Sequence, residues 1–469
     1  MDTYDAIVIG GGPGGYPCGI RLGQMGLKTL CVEMESPGGV CLNWGCIPSK
    51  ALIYASGQYE KAKEGSAFGV VASDVKVDPN AMQDWKDGIV KKLTGGVKGL
   101  LKGAGATYLD GRARFTGRDT IEVEKPDGTK AQFRASKGIV VATGCSTVEL
   151  PSFPFDGKTI IGAKEGVSLR EIPKRMLVIG GGVIGMELGT VYNKLGSEVH
   201  IAEAADRLLA GHDLDCVKVV ERKFVKHGGK VYKGAFAKGF ERHADGSMKV
   251  TIEREGEPFT IDVDVVLVAV GMRPHTAPLG LEAAGVRTDD RGFIPIDDQG
   301  QTNVPGIFAV GDVTGPPLLA HKATKQGEVV AEVIGGHKAA MDWMSIPAST
   351  FTDPEISSVG IDEDHAKEHG IGVTVGKFPF AALGKAMAMR ETDGFVKVLA
   401  DEKTKQILGV HIVGPEASAM ISEAALSIEM SAFVEDVMLT VHPHPTLGEA
   451  YMEAAAHAIG QAVHIQNRR

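Results

Sequence analysis

Two groups of residues in this 469-residue chain carry side chains that do chemistry near neutral pH. The first is "GGVCLNWGCIPSK", residues 38–50, in which Cys41 and Cys46 have four residues between them and Lys50 follows. Zinc pairs more often read C-x2-C and thioredoxin-like dithiols read C-x-x-C, so neither reading fits. If the residues after Cys46 are helical, Lys50 lies one turn on, on the same face. A cation there favours the thiolate of Cys46. The second group is "VHPHPTLGEA", residues 441–450. His442 and His444 both precede prolines, which biases them to extended backbone. Pro445 suits the first turn of a following helix, with Glu449 about one turn along. Imidazole is the suitable base near neutral pH, and a carboxylate beside it can fix its tautomer and stabilise its charged form.

These groups need a scaffold, and the length suggests roughly three domains. The 43% hydrophobic fraction is that of an ordinary globular protein. Fifty Lys and Arg stand against 59 Asp and Glu, a net charge of −9 that gives no sign of nucleic-acid binding. The opening "MDTYDAIVIG" lacks the basic start and long apolar run of a signal peptide. No apolar run reaches the roughly 18 residues of a membrane span. The remaining cysteines, Cys18, Cys31, Cys145 and Cys216, are scattered, which argues against a disulfide scaffold and suits a reducing compartment. In such a compartment a close cysteine pair reads as redox-active. No metal-ligand cluster is expected.

Two segments read as strand, glycine turn, helix, strand. In "YDAIVIGGGPGGYPCGIRLGQMGLKTLCVE", Gly10, Gly12 and Gly15 fit G-x-G-x-x-G, and Glu33 ends the second strand 18 positions later. In "KRMLVIGGGVIGMELGTVYNKLGSEVHIAE", Gly180, Gly182 and Gly185 repeat the pattern, and Glu203 again lies 18 positions on. The first glycine permits the turn, the second lets backbone approach a pyrophosphate, and the third lets helix and strand pack closely. Two such units imply two dinucleotides. The Glu203 charge would repel a 2′-phosphate, so the second site should prefer NAD over NADP, with Arg207 the one nearby cation against it. Two more strand–turn signals are "GIVVATG", ending at Thr143–Gly144, and "GIFAVGDV", ending at Gly311–Asp312. An Asp in such a turn can simply shape it, or can accept hydrogen bonds from a sugar-alcohol chain.

With "GGGPGGY", "GGVCLNWGCIPSKAL", "GAGATYLDGRARF", "VATG", "VIGGGVIGMELG", "VAVGMRP", "FAVGDV", "LLAHKA", "FTDPEISSVG" and "HPHPTLGEA" in order from residue 10 to 450, the chain resembles the flavoprotein disulfide reductases of the two-dinucleotide type, the class I pyridine nucleotide-disulfide oxidoreductases. The similarity is greatest to the members that oxidise dihydrolipoamide. It implies an α/β fold with two Rossmann-like domains, for FAD and NAD, and a C-terminal α/β dimerisation domain. The corresponding boundaries are 1–150 and 276–345 for FAD, 151–275 for NAD and 346–469 for the interface.

The resemblance further implies that Cys41 and Cys46 form a reducible disulfide beside the flavin. A ring over four intervening residues gains little from chain entropy, and strain eases its reduction. Cys46 would face the flavin and Cys41 would exchange with substrate. Lys50 would pair with Glu187 near flavin and nicotinamide. Asp312 would bind the ribityl chain, and Leu319, Ala320 and His321 of "LLAHKA" would line the flavin, with Gly271 of "VAVGMRP" also at a cofactor. His444 would be the base and Glu449 its partner, with His442 structural. The base would come from the second subunit of a homodimer. Dihydrolipoamide would be oxidised and NAD⁺ reduced. The partners implied are lipoyl domains and the acyltransferase core of a 2-oxo-acid dehydrogenase complex, or a lipoylated glycine cleavage protein, with no nucleic acid and no membrane. Cytoplasm is the expected location, the mitochondrial matrix if a transit peptide has been removed.

Other members fit less well. Mercuric and large thioredoxin reductases need a further C-terminal cysteine pair, and no cysteine follows Cys216. Glutathione-type reductases place arginines after the second acid, where this chain has Ala204. A related disulfide reductase with another substrate, or a flavin-carrying docking or redox-sensor protein, is the alternative. Trp44 between the cysteines, "GAKEGVSL", His275 after "GMRP" and Cys145 depart from the commonest family pattern without removing a reactive group.

Overall fold

A computed structural model describes residues 1–467; the last two positions of the expected interface region, 468 and 469, lie outside the described residues. The chain forms two compact units, residues 1–171 with 268–342, and residues 172–267 with the chain from 343 on.

In the first unit, strands Thr107–Asp110, Thr29–Glu33, Asp2–Ile9 and Lys130–Val141 lie side by side in that order. Short strand Ile307–Ala309 adds parallel to the inner end of Lys130–Val141, with Ile307 opposite Ile139. The strand around Ile7 reads as an unbroken apolar run because helices cover the parallel sheet, leaving Ala6, Ile7 and Val8 with no exposed surface. Burying each such branched side chain contributes about 1.5–3 kcal/mol. Helix Gly15–Gln24 follows the first strand and the sheet continues at Thr29–Glu33, parallel to it. That is the expected strand–turn–helix–strand unit. A turn at Gly311–Thr314 ends the strand of "GIFAVGDV", and helix Ala320–Ile334 follows.

The second unit repeats the theme. Strands Lys230–Lys233, Glu198–Glu203 and Arg175–Ile179 are parallel neighbours, with helix Val183–Lys194 after the glycine turn. Strands Ala235–Arg242, Met248–Arg254 and Glu257–Val263 form an antiparallel meander. The C-terminal region builds a five-stranded antiparallel sheet, ordered Ala348–Thr350, Glu355–Gly360, Ile407–Gly414, Phe395–Asp401 and Val373–Pro379. Helices Ala417–Glu429 and Glu449–Ala458 cover it, joined by a core that includes Phe378, Val398, Ile412, Ile421 and Tyr451.

Polar bonds tie the parallel-stranded part of this unit to its C-terminal sheet. Lys397, its side chain 2% exposed, reaches Asp213 at 2.8 Å and Asp215 at 3.1 Å, and also Glu363. Lys194 and Lys223 each bond Asp353 at 2.6 Å. A buried amine of this kind is tolerated only when carboxylates surround it. No helix among the described residues is long and apolar enough to cross a membrane.

Candidate active site

The cysteine pair forms at a bend between two helices. Gly38 and Gly39 both have left-handed φ, of 89° and 57°. A Cβ on Gly39 would stand 2.7 Å from Gly12 Cα, so the chain carrying the cysteines packs directly on the first glycine turn. The Gly38 amide also donates to Gly11 O at 2.7 Å. Cys41 lies in the short helix Gly39–Asn43, and Cys46 opens helix Cys46–Lys63. They are disulfide-bonded with Cα atoms 4.7 Å apart. Asn43 Nδ2 ties the bend by donating to Pro37 O and Gly39 O. Lys50 stands four residues into the same helix, one turn from Cys46.

Burial separates these sulfurs from the other four. Cys41 and Cys46 are partly exposed, whereas Cys18, Cys31, Cys145 and Cys216 are buried. Burial pushes the Cys31 and Cys145 thiols up to about 12 and raises Cys18 and Cys216 as well. Such thiols stay protonated and unreactive at neutral pH. Trp44, bulkier than the usual residue between the cysteines, lies under the Lys164 ammonium, 4.0 Å from its ring centre.

The two glycine turns are built alike. Gly10 and Gly180 share φ of 107°, and a Cβ on Gly10 would stand 2.2 Å from Ala142 O. A Cβ on Gly15 would meet Gly10 O at 1.9 Å, and one on Gly185 would meet Gly180 O at 2.0 Å. Gly12 and Gly182 instead border open space or a loose contact. This is the division of labour that backbone approach to a pyrophosphate requires. The terminal acids also match. Glu33 accepts the Gly11 amide at 2.6 Å and the Glu35 amide at 2.8 Å. Glu203 accepts Gly181 at 2.6 Å and Ala205 at 2.7 Å. Arg207, the cation nearest to Glu203 in sequence, is committed elsewhere: it donates to His212 O at 2.6 Å and pairs with Asp364 at 3.8 Å. The open cradle at Gly12, the second at Gly182 and the fixed acids fit FAD and NAD.

Around the first cradle, Thr143 Oγ1 donates to His275 O at 2.8 Å, and the His275 amide donates to Gly144 O at 2.9 Å. His275 therefore holds the "VATG" turn through its backbone. Strand Met272–Pro274 pairs with Cys145–Thr147, and the Val148 amide donates to Gly271 O. Burial raises the Asp312 carboxyl, and the Lys322 ammonium acts against that rise. Leu319 caps helix Ala320–Ile334, placing Ala320 and His321 in its first turn, His321 exposed.

In the second unit, Glu187 lies on helix Val183–Lys194, 3% exposed, and accepts the Phe351 amide at 2.9 Å. Sequence gives no sign of that C-terminal contact. His444 Nδ1 bonds Glu449 Oε1 at 2.9 Å, and the Thr446 amide donates to Glu449 Oε2 at 2.8 Å. Burial raises the Glu449 carboxyl, but the Thr446 amide and His444 more than offset it and hold the carboxyl below its usual range. The His444 ring is 78% exposed, with Nδ1 engaged by Glu449 and Nε2 outside that pair. His442 is the opposite: its ring is 5% exposed, with Nδ1 bonded to Thr440 O and Nε2 to Glu423. The expectation that Pro445 opens a helix is corrected. Thr446 Oγ1 folds back on Pro443 O, and the helix begins only at Glu449, with Gly448 before it. Sequence reasoning also missed a second histidine–carboxylate couple, between Glu453 of that helix and His464 beyond its end, with Nδ1 at 2.7 Å.

Residues 4–327 match the pyridine nucleotide-disulphide oxidoreductase family and residues 346–455 match its dimerisation domain, and the chain belongs to this family. Among similar curated proteins is the dihydrolipoyl dehydrogenase of Geobacillus stearothermophilus, 47% identical over 461 residues, 98% of this chain and 97% of that one. The dihydrolipoyl dehydrogenase of Thermus scotoductus is 46% identical over 471 residues, with 100% of both chains covered. Among solved structures, LpdA of Mycobacterium tuberculosis aligns with a TM-score of 0.90 at 25% identity, covering 97% of this chain and 99% of its own. The dimerisation domain supports a homodimer. Within that domain Leu426, Met430, Leu439 and Val441 are exposed apolar residues of the kind a second subunit covers.

Proposed function

We propose that the chain is an NAD-dependent dihydrolipoyl dehydrogenase. It oxidises the dithiol of protein-bound dihydrolipoamide to the lipoamide disulfide, while NAD⁺ becomes NADH with release of a proton. The observation that carries this reading is the Cys41–Cys46 disulfide on a bend packed against the first dinucleotide turn. The relatives of that name, similar over the full chain, support the choice of substrate.

The residues take these roles. A substrate thiol gives its proton to Nε2 of His444, held by Glu449, and attacks Sγ of Cys41. The Cys41–Cys46 bond breaks, and its electron pair stays on Cys46 as a thiolate. The second substrate sulfur then attacks the first and loses its proton, closing lipoamide, and Cys41 leaves as the thiol by taking up that proton. Gly10, Gly12, Gly15 and Glu33 hold the FAD pyrophosphate and ribose, with Thr143, Gly144, Asp312, Leu319, Ala320 and His321 along the rest of it. Gly180, Gly182, Gly185, Glu203 and Gly271 hold NAD. Lys50 and Glu187 supply charge at the reacting ends of the cofactors. FAD, when bound, supplies the two-electron relay between thiols and nicotinamide.

The base is the partner's His444, so the monomer is inactive. Residues 1–150 and 276–345 serve FAD, 151–275 NAD, and 346–469 the interface. The lipoyl group arrives on a lipoyl domain of a 2-oxo-acid dehydrogenase complex or on a lipoylated glycine cleavage protein. The four buried thiols suit a cytoplasmic location.

The test is a substrate panel. Purified protein is given dihydrolipoamide with NAD⁺ or NADP⁺, and glutathione disulfide with NADH or NADPH. Turnover confined to dihydrolipoamide with NAD⁺ is expected. Faster reduction of glutathione disulfide by NADPH would refute the reading.

A further inference from the structure

The two histidines of "VHPHPTLGEA" lie two residues apart and have opposite surroundings. The His444 ring is 78% exposed, whereas the His442 ring is 5% exposed and bound at both nitrogens. His442 Nδ1 lies 2.8 Å from Thr440 O, and Nε2 lies 3.0 Å from Glu423 Oε1. A carbonyl and a carboxylate only accept, so the ring meets both partners only with a hydrogen on each nitrogen. Bonds of this charge-assisted kind are the stronger ones. Glu423 belongs to helix Ala417–Glu429, whose Ile421, Ala424 and Ile428 sit in the core under the C-terminal sheet.

The same ring borders the far end of its own loop. A Cβ on Gly448 would stand 3.9 Å from His442 Cδ2, so Gly448, the residue before Glu449, packs beside the ring. Thr440 Oγ1 donates to Asp436 O at 2.8 Å, and Thr446 Oγ1 donates to Pro443 O at 2.8 Å. The loop between helices Val434–Leu439 and Glu449–Ala458 thus closes around the His442 ring. Two histidine–glutamate bonds hold it, one to each helix that covers the sheet. Glu449 orients the exposed His444 ring, and Glu423 anchors the loop itself through His442.

We propose that His442 is a positioning residue for the base. Its imidazole, pinned between Thr440 O and Glu423, fixes the loop from which His444 projects, and so sets where Nε2 of His444 meets the substrate thiol. This rests on the reading of His444 as the base. His442 touches no reacting atom and acts through His444. Displacing a catalytic group by about 1 Å can cost roughly 100-fold in rate.

The experiment compares two activities of the full-length protein loaded with FAD. Oxidation of dihydrolipoamide by NAD⁺ uses the base. Reduction of ferricyanide by NADH through the flavin uses both nucleotide sites and no base. His442→Leu and Glu423→Leu are each expected to lower kcat for dihydrolipoamide by roughly 10- to 100-fold, with KM for NAD⁺ and the ferricyanide rate at parent values. Glu423→Gln keeps an oxygen that accepts from Nε2, and should hold kcat within about threefold of the parent. Glu423→Leu carries the test if His442→Leu does not fold, because Glu423 is an exposed residue. Parent kcat in Glu423→Leu or in a folded His442→Leu, or equal loss of both activities, would overturn the proposal. His444→Gln is the reference: parent kcat for dihydrolipoamide there would overturn the base assignment beneath it.

Discussion

Glu449 stands at the start of helix Glu449–Ala458 and accepts His444 Nδ1–H at 2.9 Å with one oxygen and the Thr446 amide at 2.8 Å with the other. Both oxygens are fixed, so the imidazole has one tautomer and one orientation. Glu449→Gln places an amide where the acceptor was and should lower kcat by about 10²–10⁴. His444→Gln should cost as much, and the double variant little more, since the pair acts as a unit. Steady-state NADH formation from dihydrolipoamide checks this; additive losses would contradict it.

Gly15 and Gly182 occupy related turns but face different surroundings. A Cβ on Gly15 collides with Gly10 O at 1.9 Å, whereas one on Gly182, at φ −75°, meets nothing within 4 Å. Gly15→Ala should therefore fail to fold or fail to retain FAD. Gly182→Ala should fold with parent Tm and show its effect in KM for NAD⁺, by about tenfold. Thermal melts alongside NAD⁺ titrations separate the two outcomes.

On the proposed reading nucleotide choice rests on Glu203, since Arg207 is engaged by His212 O and Asp364. Glu203→Ala removes the charge that repels a 2′-phosphate and the acceptor for ribose. The expected result is a KM for NAD⁺ raised about tenfold and a smaller preference over NADP⁺. Unchanged preference, read from kcat/KM for both nucleotides, would contradict the role of Glu203.

Asp353 links helix and sheet in the second unit through Lys194 and Lys223, each at 2.6 Å. Burial raises its carboxyl, yet the two lysines outweigh that and bring it down to about 2. A carboxyl depressed on folding stabilises above its unfolded value near pH 3.8 and loses that contribution as pH falls toward 2. The contribution is about 2 kcal/mol. Asp353→Asn should lower stability at pH 7 and show a flatter acid limb than the parent below pH 4. Urea unfolding across a pH series checks it.

What was legible in the sequence is what is local in it. Each glycine turn, its helix and the acid 18 residues on form one strand–helix–strand unit, so spacing alone placed Glu33 and Glu203. Spacing likewise showed a close cysteine pair and an acid about one turn beyond two histidines, whereas the disulfide itself and the choice of His444 over His442 came from the family resemblance. Lys397 meeting Asp213 across 184 positions, or Glu187 meeting the Phe351 amide across 164, is set by packing of distant segments. No pattern along the chain encodes such a meeting. The start of the last helix was misread for a different reason, a local one: a side chain–backbone bond from Thr446 to Pro443 shapes the turn, and propensity after Pro445 does not reveal it.

The most direct measurement counts thiols. Oxidised protein is treated anaerobically with dihydrolipoamide, excess reagent is removed, and the chain is alkylated and mapped by mass spectrometry, with and without prior addition of NAD⁺. Labelling confined to Cys41 and Cys46 after dihydrolipoamide, abolished by NAD⁺ with matching formation of NADH and not abolished by NADP⁺, is the expected result. A Cys41–Cys46 disulfide that dihydrolipoamide leaves intact, while NADPH opens it, would contradict the assigned reaction.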